Sequence, residues 1–90
     1  MAYLHSEKRE RIIGANPYRV TIIIGEKTLK RDYRATLDGA YSAAYNRVSN
    51  LWDSGENNTI TVKIEKRIGE SRHYEHKETI TLCPGELPIH

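Results

Sequence analysis

Cysteine is almost missing from this sequence: Cys83 stands alone. One thiol excludes an internal disulfide framework and suits a reducing compartment, so a cytoplasmic setting is expected. Long apolar runs are missing as well. The longest purely aliphatic stretch is Ile22-Ile23-Ile24, against the roughly 20 apolar residues a helical membrane span requires. No basic-then-apolar segment of the signal-peptide type opens the sequence, and no membrane partner is expected. An excess of one charge is also lacking. The 14 Lys/Arg and 12 Asp/Glu leave a net charge of +2, far from a dedicated basic nucleic-acid binder and equally far from an acidic DNA mimic. There is no G-x-G-x-x-G, no G-x-x-x-x-G-K-[ST] and no C-x-x-C, so the common nucleotide and zinc signatures are excluded. Internal repeats and low-complexity segments are absent too.

What remains is one small domain of 90 residues. A chain of this length buries about 60–65 % of the surface its unfolded form exposes, enough for one modest core. The charge is unevenly spread. Residues 1–36 hold eight Lys/Arg against four Asp/Glu, residues 37–58 one against three, and residues 59–90 five against five. The basic excess sits in the first third, with signs interleaved as on a solvated surface.

Hydrophobic periodicity orders the chain as ββαββ. Residues 1–16 read as an N-terminal arm or a short helix that Ser6 would cap and Gly14 would end. Tyr18 to Ile24 is β-branched and alternating, and therefore a strand. Gly25-Glu26 suits a two-residue type II′ turn, and Lys27 to Ala35 returns. That register pairs Ile22 with Leu29, Tyr18 with Tyr33, and Arg19 with Asp32. Thr36 is an N-cap. Leu37, Ala40, Tyr41, Ala44, Val48, Leu51 and Trp52 then form a helical stripe, with Gly55 as its stop. On this reading Trp52 is largely buried. In Thr59 to Ile68, Ile60, Val62, Ile64 and Ile68 alternate with polar residues, Lys66 excepted. The last strand, about His73 to Leu82, faces Tyr74, Ile80 and Leu82 inward. A five-residue connection, Gly69 to His73, pairs Ile60 with Leu82 and Val62 with Ile80, and sets Glu65 opposite Lys77 and Arg67 opposite Glu75. The fold class is α+β: a four-stranded, mainly antiparallel sheet, residues 17–83, with one long helix on one face. The other face is wet, and residues 84–90 form an extended tail.

Few residues carry recognisable chemistry. His73 and His76, three apart on a strand, point to opposite faces, which fits surface histidines better than a metal site. Cys83 lies where a strand runs out, with His76 as its nearest base and nothing to orient it, unlike an activated thiol. Asp32, Asp38, Asp53, Glu65, Glu75 and Glu78 form no convergent pair. No enzyme, no metal and no cofactor are expected.

The open sheet face is the remaining candidate site. The expected registers place Arg19, Thr21, Ile23, Thr28, Lys30, Asp32, Arg34, Thr61, Lys63, Glu65, Arg67, Glu75, Lys77, Thr79 and Thr81 there. They place no aromatic residue there, because Tyr18, Tyr33, Tyr41 and Tyr74 turn inward. Arg31 falls on the helix side, its stem covering apolar surface. Sheet-face RNA binders stack bases on outward aromatics, so contact with phosphates is the form of nucleic-acid binding left open. The candidate partner-binding or nucleic-acid-binding residues are Arg19, Lys27, Lys30, Arg34, Lys63, Arg67 and Lys77.

In size and architecture the chain is similar to small bacteriophage accessory proteins, some of which inhibit host defence, anti-CRISPR proteins among them. The similarity lies in no particular residues and transfers no site. It implies a protein-binding module acting by stoichiometric contact with a larger protein or ribonucleoprotein. The alternative is a nucleic-acid binder that uses a mild basic patch on the sheet face and first hairpin. A homodimer through a free edge strand is a further possibility.

Overall fold

A computed structural model describes residues 15–88; the expected N-terminal helix or arm lies mostly outside them. The elements are β1 (Tyr18–Ile24), β2 (Lys27–Arg34), α1 (Leu37–Asp53), β3 (Ile60–Arg67) and β4 (Tyr74–Leu82). They form one antiparallel sheet in the order β2-β1-β3-β4. The chain follows the expected ββαββ course, and β2–α1–β3 crosses over β1.

Local chemistry sets the ends of these elements. Gly25 has φ +62° while Glu26 has no positive φ, the pattern of a type II′ turn. Thr36 caps α1 by accepting the Gly39 N–H at 3.0 Å, and Asp38 sits in the first turn, where the helix dipole favours a carboxylate. At the other end Gly55, at φ +91°, donates to Trp52 O, and Glu56 donates to Leu51 O. Together these are a Schellman closure. The Glu56 carboxylate then accepts from the backbone and side chain of Asn58 and the backbone of Asn57, which hold it below its ordinary range.

The core lies between α1 and the two central strands. Val20, Ile22, Ala40, Ala44, Val48, Ile60, Val62 and Ile64 have no exposed surface, and Leu82 closes one end. Alanine at positions 40 and 44 lets the helix backbone approach β1 and β3 closely, and the branched side chains of the strands fill the space between. Among the described residues no helix is long and apolar enough to cross a membrane.

Both hairpins begin in the expected register and then leave it. In the first, Ile24 pairs with Lys27 and Ile23 with Thr28, but Leu29 bulges out and Ile22 pairs with Lys30. From there Val20 faces Asp32, Arg19 faces Tyr33 and Tyr18 faces Arg34. In the second, Ile60–Leu82 and Val62–Ile80 hold as expected. Lys77 then bulges, so that Glu65 faces His76, Lys66 faces Glu75 and Arg67 faces Tyr74. A bulge adds one residue to one strand and turns everything beyond it to the other face. Both bulges lie in edge strands, where an interrupted ladder also discourages pairing with another chain.

The physical reason for each shift is a polar partner that it brings within reach. The shift in β2 brings Asp32 within 3.9 Å of Arg47 of α1 and of Lys30. In β4, Glu78 faces Ile64 in either register and accepts a hydrogen bond from the Tyr41 hydroxyl; the shift just beyond it turns Tyr74 outward, under the Arg19 guanidinium. Polar partners, Arg47 on the helix and Arg19 on the sheet, thus override simple alternation at the sheet margins.

Three smaller expectations also change. Ile68 is 53 % exposed, because it falls just past the end of β3. Trp52 is only partly buried, packed at the rim of the core with its Nε1 donating to Glu86 O at 2.6 Å. The segment after β4 is no extended tail: it turns at Pro84-Gly85, Leu87 packs against the core and Pro88 is buried. Truncating the central Ile22 to alanine should cost about 2–5 kcal/mol in denaturant unfolding. Trp52→Ala should cost about 2 kcal/mol, below the figure for a fully buried tryptophan.

Candidate functional site

The face of the sheet away from α1 is a grid of three full rows, each read across β2, β1, β3 and β4, and a partial fourth. The row nearest the first turn is Thr28–Ile23–Thr61–Thr81. Next come Arg31–Thr21–Lys63–Thr79 and then Tyr33–Arg19–Glu65–His76. Arg67 and Tyr74 close the last row. Thr21, at the centre, is buried to 5 % exposure.

One polar cluster crosses this face. Arg19 Nη2 is 3.0 Å from Glu65 Oε1, and its Nε donates to the same oxygen at 3.2 Å. Its guanidinium also lies 3.7 Å from the centroid of the Tyr74 ring. A cation over an aromatic face is attracted by the ring quadrupole, and here the same cation is tied to a carboxylate. Three strands, β1, β3 and β4, are pinned together on the solvent side.

The expected site residues are only partly brought together. Arg19, Lys63 and Arg67 lie on the open face as expected, as do Thr21, Ile23, Thr28, Thr61, Glu65, Thr79 and Thr81. Beyond the bulge in β2, Lys30, Asp32 and Arg34 turn to the helix side. Glu75 does the same beyond the bulge in β4, and Lys77 is itself the bulged residue. Lys77 pairs with Glu75 at 3.5 Å. Lys27 sits at the hairpin end opposite Ile24. The expected Arg19–Asp32 pair does not form; Glu65 takes that place. Arg67 turns into the β3–β4 loop, donating from Nε to Ser71 O at 2.6 Å and from Nη2 to Glu70 O at 2.9 Å. It shapes the loop and has little left for a ligand.

Three residues that alternation had turned inward are on the open face: Arg31, Tyr33 and Tyr74. The face therefore carries aromatics after all. Its cations, Arg19, Arg31, Lys63 and Arg67, stand against Glu65 alone, a net of +3 on a chain whose total is +2. Among the described residues Arg31 and Lys63 have no ion-pair partner. They flank Thr21 in one row, about 10 Å apart as set by two strand spacings. The only sequence signal for these placements is the poor alternation of Lys30-Arg31-Asp32 and of Glu75 to Glu78.

Among the described residues, His73, His76 and Cys83 gather into no reactive centre. His76 Nε2 lies 2.8 Å from Thr79 Oγ1, and among the described residues no three of His, Cys, Asp and Glu gather as metal ligands would. Cys83 is exposed, and hydrogen bonding to the Glu86 side chain, together with its negative charge, pushes the thiol above its ordinary value. The thiolate is the reactive form, so this setting suppresses reactivity.

Fold and face together define a small α+β domain with a basic, partly aromatic sheet face. Comparison with protein-family models, curated proteins and solved structures finds no match for the chain.

A double-mutant cycle on Arg19→Met and Tyr74→Leu should return a coupling of about 0.5–1 kcal/mol from unfolding curves. Glu86→Gln should speed alkylation of Cys83 at neutral pH, because the negative charge that raises the thiol is gone. An unchanged rate would mean that exposure alone governs the reaction.

Proposed function

We propose that the chain is a non-enzymatic binding module that acts by stoichiometric contact with a larger protein or ribonucleoprotein, its contact surface being the open sheet face. The observation that carries this reading is the state of that face. It is pinned by Arg19, Glu65 and Tyr74, and it offers two cations, Arg31 and Lys63, without ion-pair partners among the described residues. A surface held rigid before contact loses little conformational entropy on binding. Unpaired cations of one sign select an acidic counterpart and speed encounter with it. An accessory protein or inhibitor working from the cytoplasm fits such a surface.

Edge-strand pairing has weaker support. The bulges at Leu29 and Lys77 break the free edges of β2 and β4, so homodimer formation through an edge has no long unbroken ladder to use. Nucleic acid is the second reading, favoured by Tyr33 and Tyr74 on the face.

The test is capture of partners from source-cell lysate by the tagged chain, with and without nuclease, using the wild type and the double variant Arg31→Glu/Lys63→Glu. The variant should fold normally and lose about tenfold or more in affinity for the captured partner. Undiminished capture by the variant would place the contact surface elsewhere.

A further inference from the structure

The two outward tyrosines are not equivalent. Tyr74 has the Arg19 guanidinium against its ring, and on the helix side Lys66 lies 5.6 Å from the Tyr18 ring. Among the described residues no cation covers Tyr33. It sits directly across from Arg19, whose side chain is committed in the other direction, to Glu65 and Tyr74. Tyr33 is half-buried on edge strand β2, and Arg31 lies two residues before it on the same face, about 7 Å along the strand. Lys63 lies across Thr21 from Arg31. An uncapped ring, two unpaired cations and a threonine floor thus share one quarter of the face.

We propose that this quarter, formed by Tyr33, Arg31 and Lys63, binds single-stranded nucleic acid. A base would stack on Tyr33 and the adjoining phosphates would meet Arg31 and Lys63. The inference rests on the reading of the open face as the contact surface and names the chemical class of its partner. Charge sets the sign of the ligand, and the aromatic ring selects among anions. A ring can stack only on a base freed from its neighbours, so a single strand fits where a duplex does not. An acidic peptide would satisfy the two cations and leave the ring without a role.

The experiment measures fluorescence anisotropy of labelled oligo(dT) with the full chain, against a matching duplex and sodium polyglutamate as competitors. Two phosphate contacts predict a salt slope of about −1.4, so affinity should fall about sevenfold between roughly 50 and 200 mM salt. Tyr33→Ala should weaken binding at least about fivefold with the slope unchanged. Tyr33→Phe, which keeps the ring, should bind like the wild type. Arg31→Gln should lower the slope by about 0.7. Equal binding by Tyr33→Ala, equal competition by duplex or by polyglutamate, or no binding of oligo(dT) overturns the proposal. If oligo(dT) fails while a nuclease-resistant partner is captured and is lost on Arg31→Glu/Lys63→Glu, the contact face stands and only the nucleic-acid assignment falls. If the captured partner ignores that double variant, the contact face itself fails.

Discussion

The structure depends on the close seating of α1 against the central strand pair. Ala40 and Ala44 present almost no side chain, so the helix settles directly over Val20, Ile22, Val62 and Ile64. This contact fixes which face of β1 and β3 is inward, and a strand pleat leaves no freedom once one residue is placed. Everything on the open face of those two strands, from Arg19 and Thr21 to Lys63 and Glu65, follows from it.

The edge strands answer to a different constraint. They lie at the margins of the helix, where its flanking side chains are polar: Arg47 toward β2 and Tyr41 toward β4. Continued alternation would have turned Tyr33 and Tyr74 to the helix side. In β2 a one-residue bulge brings Asp32 to Arg47 instead; in β4 Glu78 meets Tyr41 in either register, and the bulge just beyond it turns Tyr74 out to Arg19. The same two bulges deliver a tyrosine to each end of the row region around Arg19. Loss of one ladder bond at an edge is cheap because that strand has a free side exposed to water, whereas a bulge in β1 or β3 would break two ladders and the core together.

The open face is consequently ordered on its solvent side as well as by its core. Arg19 is the hinge of that order. Its charge is satisfied by Glu65 and its plane by Tyr74, which frees the ring of Tyr33 and leaves Arg31 and Lys63 as the face's outward charges. At the opposite end of the molecule, the turn at Pro84-Gly85 carries Leu87 back to the core and closes the rim beside Trp52. The apolar Leu87, two residues past Gly85, is the sequence hint of that return.

Element order, the capped helix, the type II′ turn, the first pairs of each hairpin and the inward set of β1 and β3 were legible in the sequence. They depend on interactions between residues close along the chain, or on a long apolar period that only one face can satisfy. The members of the candidate site were legible only where they lie on β1 and β3. Arg31, Tyr33 and Tyr74 were misplaced, Lys30 and Arg34 were given to the wrong surface, and Lys77 is the bulged residue. Their orientation is tied to Arg47 and Arg19, which are distant in sequence and meet these strands only after the sheet has formed. A strand of mixed charge has no apolar face strong enough to hold its register, so an ion pair in β2 and a cation over a ring in β4 were enough to turn them over.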